Sequence, residues 1–373
     1  MSTAEVVAHL TTAHPRDDVR IFHKECTSLA AAGFQTHLLV ADGKGDAERD
    51  GVRVHDIGMS RGRLQRMLLQ PWRMWRAARQ LPARLFHFHD PELIPVALLL
   101  RWGGRRVIYD AHEDVPRAVL SKYWIRPWLR RTVATLFEAL EDFAARRFSA
   151  VVAATPHIAR RFARLNRRTV DINNYPLPSE LADGVQAATA GRSVCYIGGI
   201  GLIRGALEMV SALEHVDATL LLAGAFENAG TEARLRALPG WRKVDYRGSV
   251  PRAEVRRIMA ASRAGLIFFH PEPNHVDAQP NKMFEYMSAG LPVLASDFPL
   301  WRTLLEDAGA GRCADPLDPH AIAACIAALL DDPVQAQAMG ERGRRAVHSV
   351  YHWAHEEKKL VRLYRDVMGE VPA

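Results

Sequence analysis

The feature that most constrains the fold is an alternation of short apolar, β-leaning runs with helical-period segments, set up twice along the chain. In the first stretch, strands are expected at 5–10, 36–40, 52–57, 85–89, 106–110 and 150–154. Alternating β and α segments imply a parallel sheet flanked by helices. A Pro-bearing stretch at 174–178 and a Gly/Ala-rich one at 182–191 interrupt the pattern and read as an interdomain linker. The alternation then restarts, with strands expected at 193–197, 218–223, 244–247, 264–269, 292–295 and 311–314. The predicted fold class is α/β: two Rossmann-like, doubly wound domains facing each other across a cleft. An N-terminal domain is expected over 1–176, a linker over 177–192, and a C-terminal domain over 193–351. A last helix over 352–373 is expected to return to the N-terminal domain. Such sheets bind ligands beyond the carboxyl ends of their strands, so the chemistry is expected on the strand-ending loops.

Size and composition agree with two domains. The 373 residues exceed what one core usually holds, and 48% hydrophobic with 24% charged residues suffices for folding without disulfides. Cys26, Cys195, Cys313 and Cys325 form no CxxC pair and no metal-ligand spacing, so they read as buried thiols of a reducing compartment. The first ten residues lack the basic start and long apolar run of a signal peptide, and no run is long enough to span a membrane. The expected location is the cytoplasm. The net charge of +7 divides unevenly, about +9 in residues 1–180 and about −2 in the rest, so the first half is expected to meet an anionic partner.

In the second half, the expected strand 193–197 runs into Gly198-Gly199-Ile200-Gly201 and then Arg204-Gly205, just ahead of an amphipathic helix carrying Leu207, Val210 and Leu213. Exposed amides beside a helix start can bind phosphate, although a tight strand-to-helix turn uses the same glycines. Arg204 sharpens the phosphate reading, because a guanidinium there can pair with a diphosphate. Farther on, Asp277 is followed after seven residues by Glu285, then by a Gly290-Leu291-Pro292 turn and an apolar strand, with Pro280-Asn281-Lys282-Met283 between.

This pattern resembles the donor signature of glycosyltransferase family 4. The resemblance covers nearly the whole chain, including Leu222-Ala223-Gly224 and the Tyr246-Arg247-Gly248 turn. It implies a GT-B fold and a retaining transfer of sugar from a nucleoside-diphosphate donor to a hydroxyl of a glycan or lipid-linked oligosaccharide in surface polysaccharide synthesis. It implies no cofactor and no metal. Glu285, on a first helical turn, is implied to hold the ribose hydroxyls. The amides of Asn281, Lys282 and Met283 are implied to face the diphosphate, with Lys282 and Arg204 as countercharge. The base is expected near Arg247, Gly248 and Val250, held by backbone; a uridine donor is favoured, then guanosine. Two positions depart from the family pattern: Asp277 stands where glutamate is usual at the donor sugar, and Gly199 stands where a basic residue is frequent. Alternatives are a nucleotide-sugar epimerase of the same fold, or a non-catalytic sugar-nucleotide-binding subunit of a glycan assembly complex.

The first half has two His-rich strand ends, His87-Phe88-His89-Asp90 and Asp110-Ala111-His112-Glu113. No pair has helical i, i+4 spacing, and a metal is not expected. By resemblance, His112 contacts the donor sugar near the reacting carbon. His89 and Asp90 are candidates for the acceptor side, as are Asp17 and Arg20 in the opening loop. Asp17 and Arg20 read equally as a helix-start acid and its ion-pair partner. Between Arg61 and Arg79 lie six arginines and no acids, interleaved with Leu64, Met67, Leu68, Trp72 and Trp75. Lys122 to Arg131 repeats the mixture. Both segments read either as core-facing aromatics with a solvated basic face or as peripheral contacts with an anionic membrane. No nucleic-acid-binding motif accompanies the charge.

Overall fold

The computed structural model describes residues 5–60, 62–121, 125–177 and 191–369. The chain forms two compact units, Met1–Asn174 with Trp353–Ala373, and Tyr175–His352. The expected linker at 177–192 lies almost wholly outside the described residues.

The first unit holds an eight-stranded sheet of β1 (Val6–Leu10), β2 (Gln35–Val40), β3 (Ala47–Arg49), β4 (Val52–Asp56), β5 (Leu85–Phe88), β6 (Arg106–Ala111), β7 (Ala150–Ala153) and β8 (Thr169–Asp171). The spatial order is β3-β4-β2-β1-β5-β6-β7-β8. Every pairing is parallel except β3 with β4. Central strands such as Leu85–Phe88 and Ala150–Ala153 are buried along their whole length, because helices cover both faces. The sheet grows one way from β1 through β2 and the other way through β5, so a crevice opens beyond β1 and β5.

β3 and β8 were not among the expected strands. The signal for β3 is the dipeptide Asp50-Gly51, whose φ values of 53° and 77° make the two-residue hairpin turn into β4. Its three residues are all exposed at the sheet edge, and two are charged, which blunts that edge.

The second unit holds β9 (Ser193–Ile197), β10 (Thr219–Ala223), β11 (Val244–Gly248), β12 (Gly265–Ile267), β13 (Val293–Ser296) and β14 (Gly311–Ala314), in the order β11-β10-β9-β12-β13-β14, all parallel. Its reversal point lies between β9 and β12. One core contains Tyr196, Leu222, Phe268, Phe284, Tyr286 and Trp301.

Close backbone approach shapes the loops here. Gly224 follows β10 with φ 144°, and a Cβ there would stand 1.9 Å from the Gly198 carbonyl oxygen. Gly224→Ala should therefore push the Gly198 loop off its position and cost about 1–3 kcal/mol, the usual scale of overpacking. The expected result is a lower melting temperature; a variant that melts like the parent would show that this close approach is not required.

Candidate functional site

In the second unit, the loop after β9 is built around absent side chains. Tyr196 donates its hydroxyl to the Gly199 carbonyl at 2.8 Å, and Lys282 Nζ donates to that hydroxyl at 3.2 Å. A Cβ on Gly198 would sit 3.0 Å from Lys282 Nζ, and one on Gly199 would sit 2.7 Å from the Arg204 guanidinium, which itself donates to the Gly199 carbonyl at 3.3 Å. The glycine at 199 is thus what lets Arg204 fold back over the loop. Two cations converge on a short backbone turn.

The surroundings of Lys282 are aromatic rather than acidic. Its ammonium lies 4.3 Å from the Tyr196 ring centre and 5.2 Å from that of Phe269. Among the described residues, no carboxylate comes within ion-pair distance of it. Burial and then the neighbouring Arg204 push its pKa down to about 7. A cation in such a place has its counter-ion elsewhere.

Lys282 is the second residue of the helix Asn281–Ser288, which begins after Pro280 with no side-chain cap. Of the three amides expected to face a diphosphate, that of Met283 is taken by the Pro280 carbonyl at 2.9 Å, which corrects that part of the expectation. As the first two helical residues, Asn281 and Lys282 have no intrahelical acceptor. Tyr286 ties the helix to the loop, its hydroxyl accepting from the Ile197 amide at 3.0 Å.

Glu285 is the fifth helical residue, one turn further in than expected. It is 39% exposed, with Arg252 at 3.6 Å as an ion-pair partner. Asp277 is half-buried on the segment leading into the helix, and that segment is pinned by Trp301, whose ring N–H donates to Ala278 at 2.6 Å. At the end of β11, Arg247 is occupied with Asp245 at 2.5 Å, and Gly248 offers its carbonyl to the Gly224 amide at 2.7 Å. Val250 packs against the core.

In the first unit, the loops after β1, β5 and β6 surround a cavity of about 370 Å³ lined by residues that include His14, Arg66, Asp90, Glu92 and His112. It lies at the sheet's reversal point. Asp90 organises its wall: one carboxylate oxygen accepts from the Thr11 hydroxyl at 2.8 Å and from the amides of Thr12 and Ala13 at 2.5 and 3.1 Å. Burial works against protonation of His14, but the hydrogen bond to Asp18 at 3.2 Å and the charge of Asp90 prevail and raise its pKa.

Arg20 is only 4% exposed. It donates twice to Asp110, at 3.0 and 2.9 Å, once to the Ile172 carbonyl at 2.8 Å, and lies 3.1 Å from Glu25. The reading of Asp17 and Arg20 as a helix-start acid and its ion-pair partner is therefore corrected. Arg20 is committed inside the unit, Asp17 pairs with Arg49 at 2.8 Å, and the helix-start carboxylate is Asp18, which accepts from the amides of Arg20 and Ile21.

His112 lies just past β6 with its side chain 20% exposed, its Nε2 2.9 Å from Asp110. His89 is buried, its Nδ1 3.1 Å from the same Asp110 oxygen. Behind them lie His9, His87, Glu25 and Tyr364, a cluster the sequence did not announce, since Tyr364 is 277 residues from His87 and 355 from His9. Burial, with Asp110 near by, pushes the Glu25 carboxyl well above the usual range.

Four groups of metal-ligand type, from His9, Glu25, His87 and His89, lie within 4.8 Å of one another. Three of these nitrogens are engaged in two hydrogen bonds, His9 Nδ1 with His89 Nε2 at 2.9 Å and His87 Nδ1 with Tyr364 at 2.8 Å. A cation would have to displace both.

Residues 19–175 match the model of a glycosyl transferase 4-like domain, and residues 204–362 match that of a glycosyl transferase-like domain. The chain is 24% identical over 298 residues to a phosphatidyl-myo-inositol mannosyltransferase of Mycobacterium leprae, covering 76% of this chain and 73% of that one. It is 22% identical over 317 residues to an MMP alpha-(1->4)-mannosyltransferase of Mycolicibacterium hassiacum, covering 80% and 75%. Among solved structures, sucrose-phosphate synthase from Thermosynechococcus elongatus aligns with a TM-score of 0.81 at 16% identity, over 98% of this chain and 99% of that one. Anabaena HepE in complex with UDP-glucose aligns with a TM-score of 0.72 at 14% identity, over 97% and 99%.

Proposed function

We propose, from the premise that this chain belongs to the GT-B glycosyltransferases and is a hexosyltransferase, that its donor is a nucleoside-diphosphate hexose held at the Gly198-Gly199 loop. The observation that carries this reading is Lys282, with no carboxylate at ion-pair distance among the described residues, set beside Arg204 over a backbone turn cleared of side chains. Two positive groups and the free amides at a helix start suit a diphosphate, and they make it a better leaving group by neutralising it. Glu285 accepts hydrogen bonds from the ribose hydroxyls. Asp277, a methylene shorter than glutamate, serves the donor sugar. A uridine nucleotide is the preferred donor, with HepE and its bound UDP-glucose in support, and a guanosine nucleotide comes next.

The transfer retains configuration. The bond from the anomeric carbon to the diphosphate oxygen breaks, the acceptor hydroxyl oxygen bonds to that carbon from the same face, and its proton passes to the departing phosphate. No metal is assigned to this step. His112 orients the sugar, and Asp90 shapes the acceptor pocket. The acceptor is a glycan or lipid-linked oligosaccharide of surface polysaccharide synthesis. The experiment is a thermal-shift panel of nucleoside diphosphates and their hexoses, read with Glu285→Ala, Arg204→Ala and His112→Ala. The first two should lose the shift. His112→Ala should keep the shift and lose turnover; normal turnover would remove its role.

The enzyme works at the inner face of the cell membrane. On the helix Arg63–Gln80, Met67, Leu68 and Trp72 are 53%, 71% and 55% exposed, while Met74 and Ala78 fill the core on the other side. On the helix Pro127–Ala145, Trp128 and Leu136 are 70% and 67% exposed. Residues 122–124 of the second basic patch lie outside the described residues. Apolar side chains beside arginines suit an anionic lipid surface. Vesicles of anionic phospholipid should sediment the protein at low salt, and Leu68→Ser with Trp72→Ser should abolish this. Equal sedimentation of parent and variant would exclude that face.

A further inference from the structure

The hydrogen bonds behind His112 admit one assignment of protons. The bidentate Arg20 guanidinium keeps Asp110 ionised, so its carboxylate is an acceptor only. Both nitrogens that touch its Oδ2, His89 Nδ1 at 3.1 Å and His112 Nε2 at 2.9 Å, must therefore carry hydrogen. The two nitrogens lie only 3.1 Å apart, as donors sharing one oxygen do.

His89 is fully buried and neutral, so its Nε2 is a bare lone pair, and His9 Nδ1 at 2.9 Å must donate to it. His9 is neutral in turn, so its Nε2 accepts from the Tyr364 hydroxyl at 2.9 Å. The tyrosine oxygen then accepts from His87 Nδ1 at 2.8 Å. This leaves His87 Nε2 without a proton, and that buried nitrogen has no hydrogen-bond partner among the described residues. The donors all run in one direction, from His87 to Asp110.

We propose that Asp110 is the positioning residue of His112, fixing its proton on Nε2 and leaving Nδ1 as a lone-pair acceptor for a sugar hydroxyl, with the His87–Tyr364–His9–His89 relay fixing Asp110 in turn. The proposal rests on the reading that His112 serves the transfer. A neutral imidazole has one acceptor nitrogen, and which one it is depends on the bond the other makes. The ring of His112 lines the cavity, and its Nδ1 has no hydrogen bond among the described residues.

The test is two-bond proton–nitrogen NMR of the full chain labelled with ¹⁵N in its histidines, which separates the two tautomers of each ring. The expected spectrum has His112 protonated on Nε2, and His89 and His9 on Nδ1. Asp110→Asn removes the bidentate carboxylate from buried Arg20 and risks unfolding, so the comparison is carried by His89. In His89→Asn the amide nitrogen stands close to the place of Nδ1 and still donates to Asp110, so the His112 tautomer should be kept. His89→Leu and Tyr364→Phe break the relay and should give a mixture in which at least a tenth of His112 carries its proton on Nδ1. His112 protonated on Nδ1 in the parent would overturn the proposal, as would an unmixed Nε2 tautomer in both relay-breaking variants. Turnover of His112→Ala with UDP-glucose is a separate readout: a normal rate would refute the transfer reading while the tautomer spectra stand.

Discussion

Lys282→Met should lower affinity for a nucleoside-diphosphate hexose on the order of 100-fold and leave the fold as stable as before, or more so. A charge-assisted hydrogen bond contributes about 1.5–3 kcal/mol, which spans roughly one to two decades of affinity. Stability is spared because the ammonium has no ion-pair partner among the described residues to lose, and burial already disfavours its charge. Methionine fits the aromatic surroundings of Tyr196 and Phe269.

The pH dependence follows from the same group. Its pKa is pushed down to about 7 in the empty site. A bound diphosphate favours the charged form and raises that value, so above pH 7 the complex must take up a proton. Affinity should fall by up to tenfold per pH unit from pH 7 towards 9. Titration calorimetry in buffers of different ionisation enthalpy will read the proton directly. Lys282→Met should bind without it, and equal affinity of the parent at pH 7 and pH 9 would refute the assignment.

Acidification should unfold the first unit well before carboxylates alone would do so. His9 and His87 have pKa values well below the ordinary one, from burial first and neighbouring histidines second, and His89 lies at about 4 because burial outweighs the hydrogen bond to Asp110. In the unfolded chain each would titrate near 6.5. Below that pH the unfolded state binds more protons than the folded one, so stability falls as pH falls and levels only below the folded-state values. Each such group contributes about 1.4 kcal/mol per pH unit between its unfolded and folded values, to be set against a total stability of about 5–15 kcal/mol.

His14 works in the opposite sense. Its raised pKa adds stability that is fully present below about 6.5 and lost as pH rises through its folded value. The raised carboxyls of Glu25 and Glu141 act in that same sense above the ordinary carboxylate range, while His37, pushed down to about 4 by burial, adds to the loss. Hydrogen exchange at pH 7 and pH 5 should show protection lost in peptides of β1, β5 and β6 before those of β9 and β13. Equal loss in both units would contradict the cluster's role.

Most strands were legible because their apolar runs are bounded by Gly, Pro and polar residues, and because both-sided burial forces that composition. The hairpin strand β3 was carried by a dipeptide rather than by a run. Around the donor loop, sequence named Lys282 and Arg204, but the space that Gly198 and Gly199 leave for them appears only once the chain is folded. The committed amide of Met283 likewise depends on where the helix begins. Arg20, read as a loop residue, is an interior anchor because its helix turns it toward the carboxyl end of β6.

By itself the sequence determined two parallel α/β units and a cationic, glycine-lined turn, because period, turn chemistry and charge are local properties of the chain. Only the tertiary structure decided the state of His112. That state depends on Asp110, Arg20, His89, His9, His87 and Tyr364, which reach one another through strand order and a returning helix. Buried polar groups must satisfy each other where no water does so, and nothing in their spacing along the chain records which partners they find.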